Sequence, residues 1–257
     1  MNKDFLLPRE EYAEESLKYG KSPFTFEVDN GKQVLYYFAA NHSPDPKNEQ
    51  YPKLKEYWNK FTKITENKSR IILIEGGLRP LREDEKTAIT SSSEGGLITF
   101  LANKEKIPVA SPDLNDRFVE NFDKETALLY WFLSGVDRYR RRPEPRLEFN
   151  EWLNKWCEDR KNIVEWKGVD ISPDILRNLY RKIIGKEFSE NESQNYLVNP
   201  NKKVTLINKF ARILSDLRDF HIASEIERYW KEGKSIFVVF GSGHLIIQRP
   251  ALEKILR

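Results

Sequence analysis

The sequence predicts an α/β protein in which a central, mostly parallel sheet carries flanking helices and accepts a helical insertion. Three observations predict it. Val34–Ala40, Arg70–Ile74 and Ile236–Phe240 are short apolar runs without polar alternation, the pattern of strands buried on both faces, usually in a parallel sheet. Stretches with helical spacing separate the first runs, and strand–helix–strand order brings parallel strands with their carboxyl ends at one edge. From about residue 118 the pattern is almost wholly helical until the last run begins.

In chain order, Glu10–Tyr19 reads as a short amphipathic helix. Pro23–Val28 reads as an extended edge ahead of the turn at Asp29-Asn30-Gly31. Val34–Ala40 is the first buried strand, and Ser43-Pro44-Asp45-Pro46 keeps His42 in a loop at its tip. Tyr51, Leu54, Trp58 and Phe61 mark one face of a helix over Lys47–Thr65. Arg70–Ile74 runs into Glu75-Gly76-Gly77. The serines at 91–93 cap a helix over Glu94–Lys104, where Glu94 complements the positive end of the dipole. A short strand over Ile107–Ser111 leads to Pro112-Asp113.

Three helices are expected in the insertion, over Glu125–Val136, Leu147–Arg160 and Pro173–Ile184. Lys186–Asn201 is polar and contains Asn-Pro, which makes it a loop or a lid. Val204–Trp230 is a long helix, or two, that stops at Gly233 before the last strand. The expected organisation is one α/β domain over 1–257 with its helical insertion at about 118–203.

Composition narrows the function classes. The chain has 257 residues, 32% charged and 39% hydrophobic, with a net charge of +3. No apolar run approaches the roughly 20 residues of a spanning helix, so no membrane segment is expected. MNKDFLLPREEY has no cationic region followed by an apolar one, so a cytoplasmic location is the expectation. The single cysteine, Cys157, excludes an intrachain disulfide and a thiolate metal cage. The basic cluster Arg138-Tyr139-Arg140-Arg141-Arg142 with Arg146 lies beside Pro143 and Pro145, where such runs are solvated loops. No nucleic-acid partner is expected.

The chemistry gathers at strand ends. His42, Glu75, Asp113 and His244 each follow a buried strand, and ligands of open α/β sheets bind in the crevice outside those ends. Gly241 and Gly243 supply the left-handed or close-approach backbone that lifts His244 over the sheet edge. Two imidazoles and a carboxylate, His42, Glu75 and His244, suit a divalent metal such as Mn, Co or Zn. Such an ion lowers the pKa of its water to about 7. Without metal, one histidine removes a proton from water while the carboxylates orient it. A histidine at a strand end is more often structural when it stands alone, so the case rests on convergence. Arg218 shares a helix face with His221. It either clamps an anionic substrate group or the site's carboxylates, or forms a surface pair with Asp219 or Glu225, the pairing that periodicity alone favours.

Four ordered segments, Leu35–His42, Ile72–Glu75, Arg218–Ile226 and Val239–Leu245, resemble the motifs of one superfamily. It contains the TraB/PrgY and GumN proteins, the Tiki metalloproteases, the erythromycin esterases and the ChaN-like haem-binding proteins. The resemblance spans most of the chain and is carried furthest by Gly241-Ser242-Gly243-His244-Leu245. Ala39 stands where the family usually has Gly or, in esterase-like members, Glu. The resemblance implies an erythromycin esterase/ChaN-like fold and a site of His42, Glu75, Arg218 and His244. Glu94, Asp113, Ser242 and Arg218 are then the expected substrate contacts. The expected activity is hydrolysis of a peptide or small-molecule ester, with a divalent metal as cofactor. The other expectation is a noncatalytic module that binds haem or a signalling peptide.

Overall fold

The computed structural model describes residues 1–114, 123–140, 146–161 and 168–256. The chain divides into two compact units, Met1–Asp113 with Leu217–Arg257, and Leu114–Asp216.

The first unit is built on a five-stranded sheet: β1 (Phe24–Asp29), β2 (Val34–Ala40), β3 (Arg70–Ile74), β4 (Val109–Ala110) and β5 (Ser235–Gly241). Its strand order is β1-β2-β5-β3-β4. Only β1 is antiparallel, at the edge beside β2; the pairs β2–β5, β5–β3 and β3–β4 are parallel. The apolar runs became the central strands because both of their faces are covered. β2 and β5 are buried at every position, whereas edge strand β1 alternates toward solvent.

Period-two alternation sorts side chains to the two faces. Tyr36, Phe38, Ile72, Ile74, Phe237 and Val239 pack with Leu54, Trp58 and Phe61 of α2 (Gln50–Ile64) and Leu97 and Ile98 of α3 (Glu85–Lys104). Tyr37, Leu73, Val238 and Phe240 pack on the opposite face. Their partners are Ile222, Ile226 and Trp230 of the long helix before β5, and Leu245 and Leu252 of the helix after it. Fully burying each such large side chain contributes about 1.5–3 kcal/mol.

The amino terminus forms a short 3₁₀ turn at Lys3–Phe5 and then α1 (Tyr12–Leu17). α3 begins earlier than the serine run predicts. Asp84 caps it, accepting the Thr87 amide at 2.8 Å. The serines break the helix instead: Ser92 and Ser93 leave helical geometry, and Ser93 has φ 50°. The helical path resumes at Glu94.

In the second unit, α4 (Lys124–Arg140), α5 (Phe149–Lys161), α6 (Pro173–Ile184), α7 (Asn195–Val198) and the first part of α8 (Leu206–Lys231) enclose a core. It includes Leu129, Phe132, Leu153, Leu176, Tyr180 and Phe210. Of the basic cluster, Arg141 and Arg142 lie outside the described residues, with Pro143 and Pro145 and the expected insertion boundary at Phe118. Tyr139 belongs to this core, and the Arg146 guanidinium covers its ring at 4.8 Å. Among the described residues, no helix is long and apolar enough to cross a membrane.

Candidate active site at the carboxyl ends of the sheet

β5 lies between β2 and β3, so the residues that follow these three strands become neighbours although they are far apart in the chain. Glu75 is central. It is the first residue after β3, and the Gly241 amide at the end of β5 donates to its Oε2 at 2.7 Å. The following turn requires Gly76, at φ 74°, where a side chain would be strained. Arg79 closes that turn by donating to the Glu75 carbonyl at 2.8 Å.

Each histidine comes from one side of this centre. His42 Nε2 lies 3.4 Å from Glu75 Oε2, and His244 Nε2 lies 3.3 Å from Glu75 Oε1. Each imidazole is oriented from behind by a carboxylate on a helix that packs against its own face of the sheet. His42 Nδ1–H donates to Glu94 Oε1 of α3, and His244 Nδ1–H donates to Asp219 Oδ1 of α8 at 2.6 Å. A carboxylate at Nδ1 fixes tautomer and ring orientation and makes the imidazole more basic. His244 opens no loop: α9 (Ser242–Ile255) starts immediately after β5 and carries it in the first turn.

Arg218 completes the arrangement. Its Nε and Nη2 donate to the two Asp113 oxygens, both at 2.7 Å, and Nη2 also reaches Glu75 Oε1 at 3.2 Å. The surface pair with Asp219 or Glu225 is therefore not formed. Burial works against the Arg218 charge, but the bonds to Asp113 and its field, with that of Glu75, hold the guanidinium firmly protonated. Asp113 also accepts the Gly76 amide at 3.0 Å, which ties the arginine clamp to the turn after Glu75.

The charges set the acid–base properties. Burial pushes the Glu75 carboxyl up, but the His244 charge, the bonds to both imidazoles and the His42 charge leave it well below the usual range. Hydrogen bonds to Glu75 and Glu94 raise His42 to about 10 against the opposing effect of burial. For His244, burial alone would lower the value; the charges of Asp219 and Glu75 overcome it and raise it to about 9. Glu75 and Asp113 face the Arg218 guanidinium, Asp219 faces that of Arg9, and Glu94 faces His42.

The sequence-derived residues His42, Glu75, Glu94, Asp113, Arg218 and His244 thus form one connected network. Ser242 opens α9 beside Gly241 and is half-buried. His221 is half-buried on α8. Gly241 is there for close approach and not for a left-handed backbone: its φ is −55°, and a Cβ would stand 2.8 Å from His42 Nε2. Sequence reasoning missed Asp219 as the partner of His244, although it adjoins Arg218 in the helix motif. It also missed Arg9 and Gln248, which join Asp219.

A divalent ion is met by this geometry only in part. Both Nε2 atoms have a metal ligand's orientation, yet among the described residues no group of three or more His, Cys, Asp or Glu is placed to hold one. The donors give the reason. Glu75 Oε1 is taken by the Arg218 guanidinium and Oε2 by the Gly241 amide, so a cation between the imidazoles would meet another cation.

No family model, curated protein or solved structure matches this chain.

Proposed function

We propose that this protein is a hydrolase of peptide or small ester bonds that works by acid–base chemistry at His42, Glu75 and His244. The observation that carries the reading is the presentation of two imidazole Nε2 atoms to opposite oxygens of one carboxylate, each ring braced at Nδ1. Perturbed titratable groups gathered at the carboxyl edge of a parallel sheet, where ligands of open α/β sheets bind, support a functional site.

His42 is the reacting base, because its side chain is 56% exposed while that of His244 is 13% exposed. Its neutral Nε2 takes a proton from water as the water oxygen bonds to the carbonyl carbon. The carbon–heteroatom bond then breaks, and His42 returns the proton to the leaving oxygen or nitrogen. His244 and Arg218 hold Glu75 ionised, and Glu75 keeps the His42 ring aimed at the edge of the sheet. The resemblance to the erythromycin esterase and Tiki-like superfamily supports the same reaction class.

The test is a screen of ester and peptide hydrolysis with the parent and His42→Ala. We expect a loss of about 10²- to 10⁴-fold in the variant. The parent rate should rise with pH toward the His42 value of about 10, since only the neutral imidazole accepts a proton. A rate that is flat with pH and indifferent to His42→Ala sinks the reading. Metal content measured on the same samples addresses the metal-dependent form: stoichiometric Mn, Co or Zn, lost in His244→Ala, favours it, as does the Nδ1–carboxylate bracing of both rings. A porphyrin absorbance band without hydrolysis favours the noncatalytic binding module instead.

A further inference from the structure

We propose that Arg9 is a positioning residue for His244, acting through Asp219. The proposal deepens the hydrolase reading and rests on it for its kinetic consequence. Arg9 Nη2 donates to Asp219 Oδ2, across 210 positions of sequence. Both side chains are nearly enclosed, at 8% and 1% exposed. The other oxygen, Oδ1, accepts from His244 Nδ1 at 2.6 Å and from Gln248 Nε2 at 2.9 Å. Gln248 is in turn fixed through its Oε1, which accepts the buried Tyr37 hydroxyl at 3.2 Å.

Asp219 therefore serves as an acceptor on both oxygens, and each donor has a different role. Gln248 and Tyr37 set where the carboxylate lies. Arg9 pairs with the carboxylate in a place that water does not reach, where a charge without a partner is costly and the carboxylate would be free to draw the imidazole out of line. The fixed Asp219 carboxylate accepts from His244 Nδ1–H and so sets the ring orientation that turns Nε2–H to Glu75. The bond from Arg9 thus reaches Glu75 through two intermediates, Asp219 and His244.

The segment that carries Arg9 is tied to the same helix as His244. The Leu7 amide donates to the Ile247 carbonyl at 2.9 Å, one turn along α9 from His244. Lys254 Nζ lies 3.7 Å from the centre of the Phe5 ring. The Tyr12 hydroxyl lies 3.3 Å from where a Cβ on Gly243 would stand. These contacts flank Arg9 in sequence and hold its backbone against α9, so the guanidinium is delivered to Asp219 in a fixed direction.

The imidazole signals of the full chain report on this directly, and with three histidines the spectrum is simple to assign. In the parent, the His244 Nδ1 proton should give a downfield ¹H–¹⁵N signal from its bond to Asp219. In Arg9→Met and Arg9→Gln we expect that signal to move or broaden. Arg9→Lys should restore it. In the hydrolysis assay, the Met and Gln variants should lose about tenfold in kcat with KM within about twofold, the signature of a group that acts in the chemical step and not in binding. Should one of the two variants not fold, the other carries the comparison. A folded variant with the parent's His244 signals overturns the proposal whether or not any substrate is found. A changed signal in a protein that hydrolyses nothing upholds the positioning role and overturns the hydrolase reading.

Discussion

Glu75 accepts from a backbone amide and a guanidinium and faces two imidazoles, so its charge holds the other groups in their protonation states. Replacing it isolates that effect. Glu75→Gln keeps the shape and removes the charge, and the histidines should then titrate closer to their ordinary 6.5. The pH–rate curve should move toward acid while the maximal rate falls. Stability should drop by about 2 kcal/mol, since charge-assisted hydrogen bonds lose their acceptor charge. Urea denaturation and the pH–rate profile check the two effects separately.

The junctions where strands and helices meet place these side chains. β5 ends on Gly241 because His42 and Glu75 approach its backbone too closely for a side chain. In Gly241→Ala the new Cβ would stand 2.8 Å from His42 Nε2 and 3.2 Å from Glu75 Oε2. The backbone there is ordinary, so the fold should persist by circular dichroism. Activity should fall by about 10²-fold, because displaced reacting groups lose near-attack geometry. The break in α3 makes a second junction. Ser93, at φ 50° and ψ −143°, turns the chain so that Glu94 points to His42. A non-glycine residue in such a region stores about 1–3 kcal/mol of strain. Ser93→Gly should raise the midpoint of urea denaturation while leaving the His42–Glu94 bond intact, which unchanged His42 imidazole signals would show.

For the whole molecule, the network makes stability depend on pH from both sides. The Glu75 carboxyl is lowered on folding from its ordinary 4.5, so its contribution is present above that value and lost as pH falls. The histidines are raised, so theirs is present below 6.5 and lost as pH rises through about 9 for His244. His42 adds less, because half of its side chain is open to water and its charges are screened. Tm should therefore hold a plateau between about pH 4.5 and 6.5 and fall on either side. In Glu75→Gln both slopes should flatten. Calorimetric Tm against pH, parent against variant, tests this; an unchanged alkaline slope would show that the histidines are not coupled to Glu75.

The parallel core and most elements of this protein were legible in its sequence because each is set by a local pattern. Unalternated apolar runs can be buried only between two layers, as Val34–Ala40 and Ser235–Gly241 are, and residues after parallel strands must meet at one edge. By that logic His42, Glu75, Asp113 and His244 were visible before any coordinates. What the tertiary structure decided is how they are connected. Strand order put β5 between β2 and β3 and so placed Glu75 between the imidazoles, a matter of long-range pairing that no local pattern encodes. Arg218 turned to Asp113 and Glu75 instead of its helical neighbours because those carboxylates were enclosed beside it, and a buried charge demands a partner. Arg9 lies in a segment whose sequence marks only a short helix. Its bond to Asp219 arises because folding brings two ends of the chain together around a carboxylate that water cannot reach.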